Sequence, residues 1–140
     1  MEFDMVSQDE LQALSDFCKS TLETILQKMG FPGVVQPSIR AEESLLVLEI
    51  TGIDDLGMII GKDGNTLRAL QTIARVLIMK KFGKKAQILL DADHYLMKRE
   101  EALKDTAFAA VQRVEETRRK VQLKPMNSLE RRIVHMALAN

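Results

Sequence analysis

The chain has 140 residues, 46% apolar and 29% charged, which excludes a disordered tail and leaves room for one ordinary domain or two very small ones. It contains no run of 18 apolar residues, its start (Met1-Glu2-Phe3-Asp4) is acidic, and Cys18 is its single cysteine. Membrane insertion, a secretory leader and an internal disulfide are therefore not expected, and a reducing cytoplasm is the simpler compartment. Net charge is zero, but residues 1–50 carry 3 basic and 9 acidic groups, so the remainder carries the compensating excess of cations. Between residues 62 and 85 stand Lys62, Arg68, Arg75, Lys80, Lys81, Lys84 and Lys85 against Asp63 alone. A local basic face matters more for phosphate binding than the whole-chain balance, although charge by itself suits an ordinary solvated surface equally well.

In chain order, Ser7-Gln8-Asp9-Glu10 has the form of a capping box, and Leu11, Leu14, Cys18, Leu22, Ile25 and Met29 follow at helical spacing. This predicts a helix over residues 8–29, stopped by Gly30 and Pro32, with Cys18 in the core. Residues 34–40 and 45–51 read as two strands joined through Ala41 to Ser44, the first with Pro37 suited to a sheet edge. Asp54-Asp55 opens a short helical turn from Leu56 to Ile60. A second helix, with Leu67, Leu70, Ala74, Leu77 and Ile78 on its apolar face, runs from Asn65 or Thr66 to Phe82-Gly83. Residues 86–91 read as a third strand. Asp93 then caps a helix over residues 94–119 whose buried face is Leu96, Leu103, Ala107, Ala110, Val111 and Val114. After an extended piece from Val121 to Leu123, Asn127-Ser128-Leu129-Glu130 caps a last helix carrying Leu129, Ile133, Met136 and Ala137.

Gly61-Lys62-Asp63-Gly64 falls between the short helical turn and the second helix. Two glycines permit a sharp turn and remove side chains that would block a sugar-phosphate backbone, while the following helix aims its N–H groups and positive dipole end at the loop. Lys62 adds a charge for phosphate. A Gly-x-x-Gly arises by chance roughly 0.3 times in a chain of this glycine content, so its weight comes from Ile59-Ile60 before it and from the strands on either side. The nucleotide-hydrolase phosphate loop needs four residues before Gly-Lys and then Ser or Thr; Gly57 and Gly61 enclose three, and Asp63 stands where the hydroxyl should be, so that reading fails.

The segment from Gly52 to Gln71, with Met58-Ile59-Ile60-Gly61-Lys62-Asp63-Gly64-Asn65-Thr66-Leu67-Arg68 at its centre, resembles the KH segment of the Jag (SpoIIIJ-associated) family of bacterial RNA-binding proteins. That family pairs a KH domain with an R-three-H domain, and Glu130-Arg131-Arg132-Ile133-Val134-His135 resembles the Arg-x-x-x-His motif of the second, with Pro125-Met126 similar to the segment before it. The resemblance implies an α+β chain: a KH fold of the prokaryotic α-β-β-α-α-β type over residues 1–92, with a three-stranded mixed sheet, then a small R-three-H domain over 93–140. The family's second domain continues into further strands, so one lacking its C-terminal strands is expected here.

The resemblance also implies single-stranded RNA, or single-stranded DNA, in a groove beside the loop, and such a loop can hold a nucleic-acid backbone without reading its sequence. Its contacts would be Gly61, Lys62, Asp63 and Gly64 in the loop, Ile59 and Ile60 in an apolar groove, and Arg68 and Arg75 along the second helix. Arg131 and His135, four residues apart on one helical face, would be a second contact, although His135 equally suits a helix C-terminus on dipole grounds. The family further implies a post-transcriptional regulator linked to cell elongation and division. A second function, pairing with a small KH protein or with another copy of this chain, fits the acidic first helix. Catalysis has little support. His94 and His135 stand apart from each other and from Cys18, no metal-ligand or cofactor spacing occurs, and Glu100-Glu101 and Glu115-Glu116 point to different helix faces.

Overall fold

Ser7 opens the first helix by accepting a hydrogen bond at its side-chain oxygen from the Glu10 N–H (3.2 Å), and α1 runs Gln8–Lys28. The computed structural model describes residues 7–139, so the acidic start with Phe3 lies outside the described residues. Strands β1 (Val34–Arg40) and β2 (Leu45–Thr51) pair antiparallel, Val35 opposite Ile50 and Pro37 opposite Leu48. Their link is a single 3-10 turn, Ala41–Glu43, closed by Ser44 in a left-handed conformation. The short helix α2 (Leu56–Ile60) and the longer α3 (Asn65–Phe82) precede β3 (Ile88–Ala92), which lies parallel to β2. The sheet order β1-β2-β3 gives the mixed three-stranded sheet and the α-β-β-α-α-β order expected for a prokaryotic KH fold.

Chain contacts divide the molecule into two units, Met1–Tyr95 and Leu96–Asn140. In the first, Leu14, Cys18, Leu22 and Leu26 of α1, Leu46, Leu48 and Ile50 of β2, Leu67, Leu70, Ala74 and Ile78 of α3, and Ile88, Leu90 and Ala92 of β3 form one buried cluster. Alternation along β2 and β3 places one face of each strand in this cluster. Cys18 is inside it, and burial pushes its thiol up to about 11. Leu26 rather than Met29 completes the α1 stripe, because the helix ends and Met29 falls at its exposed C-cap.

β1 is an edge strand with little left unpaired near its start. Glu23 of α1 accepts from the Val35 N–H (2.9 Å), and Lys19 donates to the Val35 carbonyl (2.8 Å) while pairing with Glu23 (2.9 Å). Pro37, two residues on, shares the outward orientation and has no N–H to leave unmet.

The second unit is built from α4 (Tyr95–Thr117, counted here from Leu96) and α5 (Ser128–Leu138) with the irregular segment 118–127 between them. Asn127 and Glu130 form the expected capping box on α5. Its buried cluster is Leu103, Ala107 and Val134, with Leu123, Met126 and Ile133 packed against it. Glu130 is itself buried and accepts from the Arg99 guanidinium (2.7 Å).

Two expectations for α4 need correction. The helix begins at Tyr95 rather than at residue 94, and Asp93 and His94 before it both adopt left-handed backbone. Val111 and Val114 are exposed, since α4 outruns what packs against it within this unit. The piece expected to be extended, Val121 to Leu123, lies in the irregular segment between the two helices.

Candidate nucleic-acid interface

The loop starts where α2 ends. The Gly61 N–H closes that helix on the Gly57 carbonyl (2.9 Å), and Gly61 then takes φ 74°, ψ 178°, a region open essentially to glycine alone. A Cβ at Gly61 would stand 2.8 Å from Thr66 Cβ and 2.9 Å from the Thr66 N, with Thr66 Oγ1 closer still, so the first turn of α3 excludes any side chain there. Lys62–Gly64 make one 3-10 turn in which Gly64 donates to the Gly61 carbonyl (3.3 Å) and Asn65 to that of Lys62. Asp63 and Gly64 are both left-handed.

Gly64 is the N-cap of α3 and brings no side chain to its first-turn N–H groups, and no carboxylate stands in that turn. An 18-residue helix therefore points its positive end at the loop with no side-chain cap of its own. Lys62 is exposed beside it. Arg68 folds back one turn, donating to the Asp63 carbonyl (2.9 Å) and to Asn65 Oδ1. It ties the left-handed residue to the helix as well as adding charge.

Of the residues expected at this site, Gly61, Lys62, Asp63, Gly64 and Arg68 come together. Ile60 is half-buried beside the loop. Ile59 does not line a groove: it is 0% exposed, part of the main cluster, and its contribution is to fix α2 to the core. Arg75 shares the face of Arg68, about 20° away at 100° per residue. It reaches toward the Ile88 carbonyl at 3.5 Å, the limit of a hydrogen bond.

The lysines at residues 80–85 are not part of the site. α3 carries them about 27 Å from the loop at 1.5 Å per residue. There Lys84 pairs with Glu10 of α1 (2.5 Å) and Lys81 lies over the Phe17 ring (5.1 Å). The basic span of the sequence is thus two clusters.

In the second unit, Arg131 and His135 are both exposed on α5, one turn apart. Arg131 reaches Ser128 Oγ (3.3 Å), and His135 lies in the helix's last turn. Sequence reasoning passed over Tyr95, whose ring lies against Gly64, and Thr66, which lies against Gly61. Thr66 directly follows the loop and was open to notice. Tyr95 is 31 positions away and carried no signal. Among the described residues no group of three or more His, Cys, Asp or Glu side chains is placed to hold a metal ion, and no helix is long and apolar enough to cross a membrane.

Residues 19–90 match the KH domain of the KhpA/KhpB proteins, and residues 101–140 match the R-three-H domain. The chain is 33% identical over 129 residues to the RNA-binding protein KhpB of Clostridium symbiosum, and 31% identical over 121 residues to that of Bacillus subtilis. These alignments cover 92% and 86% of this chain but 58% and 57% of those proteins, so the chain spans rather more than half the length of the relatives it matches. The KhpB of Lactiplantibacillus plantarum is 38% identical over 84 residues, 60% of this chain and 26% of that protein. The resemblance seen in the loop and in the Arg-x-x-x-His motif is thereby borne out, and both matched domains belong to non-enzymatic families.

Proposed function

Because this chain belongs to the KhpA/KhpB KH-domain family, we propose that it binds single-stranded RNA along the Gly61–Gly64 loop and the N-terminal half of α3. The observation that carries the reading is the pair of Cβ-excluding glycines beneath a helix N-terminus with no side-chain cap. A phosphate approaching there meets backbone donors, the positive end of the α3 dipole and the Lys62 ammonium. Arg68 and Arg75 extend the positive face along α3 toward neighbouring phosphates. Ile60 offers a half-buried aliphatic edge to a base. Such contacts position a strand without reading its sequence, and they leave single-stranded DNA as a weaker alternative ligand. Arg131 and His135 form a second contact on α5. The role that follows is a post-transcriptional regulator acting through the RNA it holds.

The test is fluorescence anisotropy of a 5′-labelled 12-nucleotide single-stranded RNA, titrated at two salt concentrations, with the DNA of the same sequence alongside. Gly61→Asp, which places a Cβ and a carboxylate against Thr66, abolishes binding on this reading. Lys62→Glu weakens it, and losing one phosphate contact lowers the salt slope by about 0.7. Equal affinity of wild type and Gly61→Asp overturns the assignment to the loop.

One observation favours a second function, docking of another KH fold. Ile73 and Val76 are exposed on α3, Val76 by 61%, and lie roughly 80–160° round the helix from Arg68 and Arg75, while the exposed Met79 lies nearer the arginine face, one turn beyond Arg75. An apolar partner seated there would leave the loop clear, so both functions can coexist. Val76→Glu separates them: it disperses a complex seen by light scattering while RNA affinity holds.

A further inference from the structure

We infer that Tyr95 is a positioning residue for the Gly61–Gly64 loop. Its ring is the floor on which the last glycine rests, and the two left-handed residues before it exist to deliver that ring. An ideal Cβ on Gly64 would lie 2.7 Å from Tyr95 Cε1, 3.2 Å from Cζ and 3.1 Å from the hydroxyl oxygen. Gly64 is buried, the Tyr95 hydroxyl is buried, and the ring packs on the edge of the main apolar cluster. The contact is between a backbone and a rigid ring, so neither side has a flexible end to move away.

The route by which Tyr95 arrives is unusual. β3 ends at Ala92, and Asp93 (φ 52°) and His94 (φ 54°) are consecutive left-handed residues with side chains, a conformation that persists only where surrounding packing over-determines it. At the other side of the contact, Asp63 (φ 53°) and Gly64 (φ 77°) are also left-handed. Two strained turns, 31 residues apart, thus meet at a single point of contact.

The consequence for the loop is geometric. Gly64 is both the end of the 3-10 turn and the N-cap of α3, so whatever fixes its position also fixes where the loop amides stand relative to the helix end. With the ring removed, Gly64 loses its floor and gains access to the wide conformational range of glycine. The loop then has to be ordered by its ligand rather than before it. This inference rests on the RNA-binding reading only in its affinity arm; its structural arm needs no ligand.

The experiment uses the full chain and four variants: Tyr95→Ala, Tyr95→Phe, Gly64→Ala, and Gly64→Ala combined with Tyr95→Ala. Amide proton–nitrogen NMR spectra are recorded without RNA, the dispersed signals of β1 and β2 confirming the fold. In Tyr95→Ala the amides of residues 61–65 shift and exchange faster with solvent while those strands stay in place; Tyr95→Phe, which keeps the ring, leaves the loop amides nearer to wild type. RNA affinity falls about tenfold in Tyr95→Ala through loss of preorganisation. Gly64→Ala harms the loop more in the wild-type background than in Tyr95→Ala, where the ring that its Cβ would strike is gone. Unmoved loop amides in a folded Tyr95→Ala overturn the inference, as do additive effects of Gly64→Ala and Tyr95→Ala. If Tyr95→Ala does not fold, the pair Tyr95→Leu and Tyr95→Phe decides the same question, equal loop shifts in both overturning it. Absence of RNA binding by the wild type would overturn the functional reading instead, leaving the amide shifts to decide the role of Tyr95.

Discussion

The two units are held together in different ways. Among the described residues, the first buries sixteen apolar side chains in one cluster drawn from three helices and three strands, so its loop stands on a frame that no single side chain dominates. The second buries three, Leu103, Ala107 and Val134, and supplements them with a polar node: Asn127 caps α5 and Glu130, 7% exposed, joins that cap to Arg99. A small core leaves polar geometry to do what apolar area does elsewhere. The candidate contacts follow the same division. The Gly61–Gly64 loop is backbone geometry fixed by packing, whereas Arg131 and His135 are side chains on an exposed helical face.

Truncation inside the large cluster should have the greatest effect. Leu48 is fully buried at the centre of the sheet, and Leu48→Ala should cost about 2–5 kcal/mol in urea unfolding. Loss of much less would mean that the first unit is looser than its packing implies.

Next in size is Glu130→Ala, which removes the cap's reciprocal bond and the ion pair with Arg99. It should destabilise the second unit by roughly 1–3 kcal/mol. Hydrogen exchange should report this in α5 while β2 amides keep their protection. Equal loss in both regions would erase the distinction drawn between the two units.

A smaller, pH-dependent effect belongs to Glu23. The hydrogen bond from Lys19, then that from the Val35 N–H, hold its carboxyl below its usual value. A carboxyl depressed in the folded state contributes stability above its unfolded pKa and loses it as pH falls through the lower folded one. Wild type should therefore lose stability on acidification more steeply than Glu23→Gln below the ordinary carboxylate range, with thermal melts across that range as the check. Parallel curves would mean that the bond at the β1 edge is not maintained in solution.

The gentlest probe leaves the sequence untouched. With its thiol pushed up to about 11 and its side chain buried, Cys18 should react with a disulfide reagent at neutral pH only as fast as the first unit opens. Glu130→Ala should leave that rate unchanged and Leu48→Ala should raise it.

Much of the frame was legible in the sequence. The stripe Leu14, Cys18, Leu22, the alternation of Leu46, Leu48 and Ile50, and the spacing of Leu67, Leu70, Ala74 and Ile78 each state which face is buried, because helix and strand periods differ. The Asn127 to Glu130 box likewise declares its helix start from local chemistry. Ile59 was misplaced because two adjacent isoleucines in a five-residue helix carry no period to say which points inward. Val111 and Val114 were misplaced because an apolar stripe announces a face that packing could use, not how far a partner reaches along it.

The sequence by itself determined the element order, the position of the glycine loop and the membership of its family, since these depend on residues close together in the chain. Only the tertiary structure decided which cations stand at the loop: α3 carries the lysines of residues 80–85 to its far end, where they meet α1. It alone set the Tyr95 ring beneath Gly64, across 31 residues. Neighbours along a chain are fixed by covalent geometry and can be read in order, whereas a contact between β3's exit and the start of α3 exists only once the sheet and helices have packed.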